Sequence, residues 1–449
     1  MAIRPIKPAQ LTDPAKRAAV RGLAAAVAAG TVLALGSGPA WASDEGLFGA
    51  QDPTYDGVYR QSVSLLALDA SGTTPAASTV QWLVDQQCAN GAWTSYRPDV
   101  TAECAPGTED SNATAAAVQA LAARGVSPTH DAVAWLRSIQ NDDGGFPYGP
   151  GGASDANSTA LALGALTAAG LDPTTVTSAS GASGFDALAE LQLGCATEAA
   201  TQGAFDYSRV DFAGNPKASL EANDFATVQA VPGLLGLTLV TPPVATPVAT
   251  VPACPAGPAD DSQRAAWGAD YLQRTITANP DGPFLPSVFG PGADYGSTAN
   301  AVLALTETGV SPETASAAAD WLSLNAVPDW VPDADGEDRP AALATLILVA
   351  RATGMDPTDF AGADLRQRLV DTGPAPSADP AGPGQTPGQA PGETDPDSAP
   401  APVAAPVELS GTPTLPDTGM SSAVLLAATL AGAMLTAVGF GLHRWGTES

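Results

Sequence analysis

The chain has 449 residues and a formal net charge of -29, from 47 acidic and 18 basic side chains. Nucleic-acid binding needs clustered lysine and arginine, so this balance argues against a nucleic-acid partner. Apart from one histidine near the C-terminal end the chain has only His130, so histidine-rich metal sites and Ser-His-Asp triads have almost nothing to be built from.

Residues 1–42 have the pattern of a secretory signal peptide. A leader with several basic residues precedes an apolar stretch from Leu23 to Leu35, and Ala40-Trp41-Ala42 is a small-x-small cleavage signature. We therefore expect export, with cleavage between Ala42 and Ser43. The alternative is an uncleaved N-terminal anchor, which the short apolar core disfavours.

A four-residue motif, Gly-x-(Ser/Thr/Asp)-Pro, recurs five times between residues 55 and 370 and predicts helical hairpins. In each copy we expect the glycine to end one helix in the left-handed conformation. A Ser, Thr or Asp then caps the next helix, and proline takes its first position. The copies are Gly72-Thr73-Thr74-Pro75, Gly125-Val126-Ser127-Pro128, Gly170-Leu171-Asp172-Pro173, Gly309-Val310-Ser311-Pro312 and Gly354-Met355-Asp356-Pro357.

The helices on the two sides of each joint differ in character. Those before the glycine are apolar all round, as in 114–121, and those after the proline are amphipathic, as in 133–140. Because a helix without a polar face is buried on every side, this alternation predicts an inner ring of helices within an outer ring. Inner helices are predicted near 59–69, 111–124, 156–169, 223–237, 296–308 and 338–353, and outer helices near 76–88, 129–140, 184–193, 262–277, 313–325 and 358–370.

Six such pairs close a ring and leave no exposed terminal repeat. The predicted fold class is therefore all-α: an α/α toroid of about six helical hairpins, over residues 43–371. A Pro-rich segment at about 241–258 interrupts the fourth pair, and we interpret it as a surface insertion.

A second pattern lies where each outer helix enters the following loop. Trp82-Leu83, Gln87, Gly91 and Trp93 recur at identical spacing as Trp135-Leu136, Gln140, Gly144 and Phe146, with looser copies at Gln192 to Phe205 and at Tyr271 to Phe284. This resembles the QW-type repeat of the terpenoid cyclase and prenyltransferase family, whose fold is an α/α toroid. The resemblance covers most of residues 55–370 and indicates fold far more than activity.

The resemblance implies where catalytic groups would lie. Cyclases of the family protonate their substrate with an acid at the start of an inner helix, and here Asn112, Asn157 and Gly296 stand at the comparable positions. Aspartates lie two residues earlier, and we interpret each as the N-cap of its inner helix and only as a weak catalytic candidate. These aspartates are Asp110, Asp155 and Asp294.

Three further features have structural interpretations. Prenyltransferase subunits hold zinc with Asp, Cys and His, whereas His130 stands alone at the start of an outer helix. Asp142-Asp143-Gly144 offers too few ligands for calcium. The segment 99–103, Asp-Val-Thr-Ala-Glu, superficially resembles a cyclase acid motif but lies in a loop. We expect no metal and no cofactor.

The four cysteines form an even set, which in an exported chain favours disulfides. They allow three connectivities, of which we favour Cys88 with Cys104 and Cys195 with Cys254. Free buried thiols are the alternative.

Aromatic residues gather in the loops after the outer helices, which predicts that they lie at one mouth of the toroid. There they either pack the loops or line the entrance for an apolar or carbohydrate ligand. They are Trp93, Tyr96, Phe146, Tyr148, Phe205, Tyr207, Phe284 and Phe289.

The C-terminal part has three successive features. Residues 372–414 are rich in Pro, Ala and Gly and predict an extended stalk. The pentapeptide Leu415-Pro416-Asp417-Thr418-Gly419 follows, and then residues 423–442, which carry no charge and are long enough to span a membrane, ahead of Arg444.

This arrangement over residues 415–449 resembles the LPxTG sorting signal of Gram-positive sortase substrates. The resemblance implies that sortase attacks the carbonyl of Thr418, releases Gly419 and all that follows, and joins Thr418 by an amide to peptidoglycan. The segment 423–442 then crosses the membrane only before sorting.

The sequence thus predicts a secreted, cell-wall-anchored surface protein that displays a non-catalytic toroid and binds a small molecule, a glycan or a partner. Its expected partners are sortase, peptidoglycan, the membrane transiently, and an unidentified extracellular ligand. The alternative is a surface enzyme acting on an isoprenoid or a polysaccharide. An acid pair facing the central cavity favours the enzyme, and a cavity filled by small inner-helix side chains favours binding.

Overall fold

The computed structural model describes residues 45–211, 213–240, 251, 259–288 and 290–375. The signal peptide, the insertion at 241–258 apart from residue 251, most of the stalk and the whole sorting signal lie outside these residues. No helix within the described part has both the length and the apolar composition needed to span a membrane.

In the part of the chain that the structure describes, six inner helices form a closed ring. Each of them packs against the next in chain order, and the last, α11, packs against the first, α1. Ring closure confirms the predicted toroid and its inner helices. They are α1 Gly57–Ala70, α3 Ser111–Ala123, α5 Ala156–Ala168, α7 Asp224–Leu234, α9 Tyr295–Thr308 and α11 Pro340–Thr353.

Six outer helices complete the hairpins, and each packs against the inner helix that precedes it. They are α2 Ala77–Asp85, α4 Ala132–Ser138, α6 Gly184–Leu191, α8 Asp261–Ala278, α10 Pro312–Asp329 and α12 Leu365–Asp371. A 3-10 turn spans Pro173–Thr175. A short antiparallel pair of strands, β1 Trp93–Thr94 and β2 Glu109–Asp110, precedes α3.

The inner helices are buried because they carry small and apolar side chains on every face. In α5, every residue from Ala156 to Leu166 is buried. Alanine and glycine at these positions let neighbouring backbones approach closely, and leucines fill the layer between the rings. The apolar-all-round pattern therefore identified the ring interior correctly.

The five joints are confirmed at their glycines but not at all of their prolines. Gly72, Gly125, Gly170, Gly309 and Gly354 all have positive φ. Pro312 begins α10 as predicted, whereas α2, α4 and α12 begin two to eight residues after their prolines. In α4 and α12 the helix starts where a side chain can cap it, since Asp131 accepts from Ala134 N and Asp364 from Gln367 N.

The sixth outer helix is therefore much shorter than the predicted span 358–370. Phe360 N donates to Ala363 O, and Ala361 has φ +51°, so these residues form a tight turn instead of a helical one. The helix begins only after Asp364.

Cys88 and Cys104 form the predicted disulfide across the first long loop. Cys195 is also disulfide-bonded, and Cys254 lies outside the described residues. The segment before α1 links the first hairpin to the last. Phe48 N donates to Gln61 Oε1, in α1, at 2.9 Å, and Gly49 N donates to Thr372 O, just after α12, at 2.7 Å.

Candidate functional site

The inner helices begin at one end of the ring, because inner and outer helices alternate in direction. We call this end the N-terminal mouth. Asp110, Asp155 and Asp294 are the N-caps of α3, α5 and α9 there. Their carboxylates accept from the main-chain N–H of Ala113, Ser158 and Ser297 at 2.9, 2.7 and 2.9 Å. The three acids therefore stabilise helix starts, as the sequence indicates.

Two of these aspartates also tie neighbouring repeats together through phenols. Tyr148 Oη donates to Asp110 Oδ2 at 2.8 Å, and the phenol of Tyr207 lies close to the carboxyl of Asp155. The main-chain oxygens of the same tyrosines accept from Ser111 N and Ala156 N, both at 2.9 Å. Tyr148 thus binds the first turn of α3 at two points, and Tyr207 binds the first turn of α5 through its main chain.

Burial raises the pKa of the Asp155 carboxyl to about 7, although hydrogen bonds from Ser158 oppose this. A carboxyl that is partly protonated near neutral pH has the protonation state of a general acid. However, Asp155 is only 3% exposed, and its two oxygens accept from Ser158 N and Ser158 Oγ. A substrate has no open route to this carboxyl.

Of the two roles expected for the loop aromatics, the first aromatic residue of each loop packs the loop and does not line an entrance. Trp93, Phe146 and Phe205 are fully buried and Phe284 is 7% exposed, so all four are core residues. They lie inward because each loop is fastened to the next inner helix by a threonine hydroxyl. Phe146 N, for example, donates to Thr159 Oγ1 at 3.0 Å. Tyr96, Tyr148 and Tyr207 are half-buried, and Phe289 lies outside the described residues.

The repeated glutamines fasten each outer helix to the next. Gln87 Nε2 donates to His130 O at 3.0 Å, and His130 N donates back to Gln87 Oε1 at 2.9 Å. Gln192 Nε2 likewise donates to Arg264 O at 2.8 Å. His130 is exposed and serves this contact through its backbone. The repeat motif therefore holds the fold together and carries no reactive group.

The two acidic segments singled out in the sequence form turns. Asp143 Oδ1 accepts from Gly145 N at 2.9 Å and from Ser154 Oγ at 2.7 Å. Asp99 Oδ1 accepts from Thr101 N at 2.9 Å in an exposed loop. Within the described ranges, no three His, Cys, Asp or Glu side chains are grouped so that they could hold a metal ion.

The centre of the ring contains a cavity of about 40 Å³. Residues Asn300, Leu303 and Glu307 line it from one face of α9, as expected for positions separated by three and four residues. The other inner helices that line it are α3, α5 and α7, through residues that include Gln119, Gly164 and Gln229.

A chain segment after α7, residues 235–240, fills the rest of this space. Thr167 Oγ1 donates to Gly236 O at 2.9 Å, and Leu239 N donates to Gln119 Oε1 at 2.7 Å. A Cβ on Gly164 would lie 2.7 Å from Leu237 O, so glycine is needed there. The returning segment thus occupies space within the ring that the small inner-helix side chains leave.

Among the described residues, Glu307 is the one acid that lines this cavity, and sequence reasoning missed it. It is 7% exposed, and its Oε2 atom has no hydrogen-bond partner among the described residues. Burial raises the pKa of its carboxyl to about 8. The only sequence signal was a glutamate inside an inner helix that has no other charged residue.

We expect Glu307 to make stability depend on pH. Below about 4.5, its ordinary pKa, the carboxyl is protonated in both the folded and the unfolded chain. Between there and its folded pKa of about 8, only the unfolded chain gives up the proton, so the folded state loses about 1.4 kcal/mol for each pH unit. Urea unfolding in low salt at several pH values should show a flatter dependence for Glu307→Gln. Equal slopes for the two proteins would contradict the prediction.

A larger groove of about 320 Å³ lies on the outside of the ring, beside α6. Five of the eight residues that line it are polar, namely Asp143, Ser154, Asp186, Glu190 and Arg209, but most of the surface that they expose to the groove is apolar. Arg209 forms an exposed ion pair with Glu190. This volume is near the lower limit for small-molecule sites.

No family model matches the chain, and no curated protein matches it. The chain is similar in structure to ent-copalyl diphosphate synthase from Streptomyces platensis, with 18% identity and a TM-score of 0.43 over 66% of this chain and 50% of that chain. It thus spans half the length of that synthase. It is also similar to a protein from Actinoplanes, with 17% identity and a TM-score of 0.44 over 70% of this chain and 95% of that one.

A third similar structure is the type II terpene cyclase MstE from Scytonema, with 14% identity and a TM-score of 0.43 over 70% of this chain and 94% of that chain. At this level of similarity none of the three informs on what this chain does. The toroid fold stands on the closed ring of helices described above.

Proposed function

We propose that the chain is a cell-wall-anchored surface protein that displays its toroid as a non-catalytic binding domain. Export is supported by the signal pattern of residues 1–42 and by the Cys88–Cys104 disulfide, since disulfides persist in oxidising compartments. Wall attachment is supported by the pentapeptide Leu415 to Gly419 with its apolar span and Arg444.

The observation that carries the non-catalytic part of the proposal is the filled ring. A cavity of about 40 Å³ is far below the roughly 300–1,000 Å³ of ordinary ligand pockets. It is also below the ~150 Å³ that accommodates benzene. An isoprenoid chain therefore has no room while residues 237–239 occupy the ring.

Electrostatics supports the same proposal. No lysine or arginine lines the central cavity within the described residues, so a diphosphate would have no counter-charge there. The net charge of -29 opposes the approach of such an anion further.

The outer groove beside α6 supports binding at the surface of the toroid. Its carboxylates and guanidinium offer acceptors and donors beside an apolar surface, a combination that suits a glycan, whose hydroxyls bond and whose rings pack. We therefore place the unidentified extracellular ligand on the outside of the ring.

The alternative is a surface enzyme acting on an isoprenoid or a polysaccharide. The observation that favours it is the raised pKa of Asp155, which is about 7 at the N-terminal mouth. Its two engaged oxygens and its burial count against it.

The deciding experiment incubates the purified full-length chain with squalene, farnesyl diphosphate and geranylgeranyl diphosphate, with and without zinc or magnesium. We expect no turnover of any of them. Turnover that Asp155→Asn or Asp294→Asn abolishes would contradict the proposal. Asp131→Asn is the matched control, because Asp131 also caps a helix but on the exposed outer ring.

A further inference from the structure

The central cavity combines one buried acid with several neutral oxygen donors. Glu307 lines it together with Asn300, Gln229 and Gln119, whose amide groups carry carbonyl oxygens. The first of these, Asn300, is two turns before Glu307 on the same face of α9. The cavity therefore offers carboxylate and amide oxygens to whatever occupies it.

The chain supplies no positive charge to this carboxyl. No Lys, Arg or His lines the cavity in the described part of the chain. The adjoining segment 241–258 has none in its sequence either. A buried carboxylate without a counter-charge is costly, so it either keeps its proton or takes up a cation from solution.

We propose that the central cavity is a binding site for a small monovalent cation, such as K⁺, Na⁺ or ammonium, with Glu307 as its counter-ion. The amide oxygen of Gln229, on the neighbouring helix α7, replaces part of the water around the ion, as backbone carbonyls do in potassium-selective pores. On binding, the proton of Glu307 passes to the solvent, so that one positive charge replaces another.

The size and charge of the site select the class of ion. A cavity of about 40 Å³ holds roughly three water-sized spheres at 10–15 Å³ each, which is enough for an ion with one or two waters. Calcium takes six to eight oxygen ligands, usually with several carboxylates, and a single carboxylate balances only one positive charge. Organic cations exceed the available volume.

The ion has a route from solvent. Leu237, Thr238, Leu239 and Asn300 are half-buried, so the cavity is not sealed on the side of the returning segment. Binding therefore requires no opening of the ring.

The first test compares thermal unfolding of the full-length chain, in mild detergent at about pH 7, in different chloride salts at about 150 mM. We expect at least one small cation to raise the Tm by about 2 °C relative to bulky N-methylglucamine, because it binds only the folded ring. Glu307→Gln should abolish this difference. Glu198→Gln, at an exposed site, should retain it.

The second test measures proton release, which does not depend on the stability of any variant. Titrating KCl, NaCl or ammonium chloride into the unbuffered wild-type protein near pH 7 should release roughly one proton per chain at saturation. Equal Tm values in all salts, a salt effect that persists in Glu307→Gln, or no proton release would each overturn the proposal.

Discussion

Replacing Gly144 with alanine should destabilise the toroid by roughly 3–5 kcal/mol. Gly144 has φ +85°, a conformation that costs an L-residue ~1–2 kcal/mol. A Cβ there would overlap the carbonyl oxygen of Ser183 and lie 2.6 Å from the carbonyl carbon of Ala182. Because both contacts are to backbone at the start of α6, the whole outer helix would have to move.

The matched control is Gly151→Ala in the same loop. Gly151 has φ +77°, yet a Cβ there would have no heavy atom within 4 Å. It therefore carries the conformational penalty without the overlap, and we expect only ~1–2 kcal/mol. The free energies of unfolding of both variants, measured in urea, separate the conformational penalty from the cost of the overlap. Equal losses would show that the contact of Gly144 with α6 contributes nothing.

The same contact recurs around the ring, which explains why the motif repeats. A Cβ on Gly91 would lie 2.8 Å from the carbonyl carbon of Asp131, and one on Gly203 would lie 2.8 Å from that of Trp267. Both glycines have positive φ. In these three repeats the loop after one outer helix thus packs against the backbone at the next, and Gln87 and Gln192 hydrogen-bond across the same joints.

The ring was predictable because its determinants are local. Helices that are apolar on every face, glycines that end them, and a Gln–Gly–aromatic spacing are all visible over short stretches of sequence, and ring closure follows from their number. The N-cap roles of Asp110, Asp155 and Asp294 were predictable for the same reason, since a cap bonds to the residue three positions on.

The contents of the ring were not predictable, because they depend on contacts distant in sequence. Leu239 N meets the side chain of Gln119 across 120 positions, and nothing in the residues after α7 distinguishes a returning segment from a surface loop. Glu307 shows the same difficulty. Its burial is set by four helices and residues 237–239, so its raised pKa appears only in the assembled ring.

The prediction of where α12 begins was wrong for a more local reason. Proline fits the first turn of a helix, but it also fits a turn that precedes a helix, and Pro357 occupies the second setting. The choice is made by Asp364, which caps the helix seven residues later. The prolines therefore predict where the joints between helices lie, but they do not predict where the outer helices begin.

Replacing Thr418 of the sorting motif with alanine should abolish attachment of the chain to the wall. The proposed reaction joins the carbonyl of Thr418 first to the sortase thiol and then to a peptidoglycan amine, with Gly419 as the leaving side. A chain with Thr418→Ala keeps its signal peptide and its apolar span at 423–442, so it should still be exported and held at the membrane. Fractionation should find it in membrane and medium, and absent from muramidase-released wall fragments.

Thr414→Ala is the matched control, since Thr414 lies immediately before the pentapeptide and the change removes the same atoms. It should leave the wall fraction unchanged, because position 414 is outside the sequence that sortase is expected to read. For the unmodified chain, mass spectrometry of the released fragments should find a C-terminal peptide that ends at Thr418 and carries a peptidoglycan stem. Wall attachment that persists in Thr418→Ala, or a mature C-terminus beyond Thr418, would refute sorting at this motif and with it the display of the toroid on the wall.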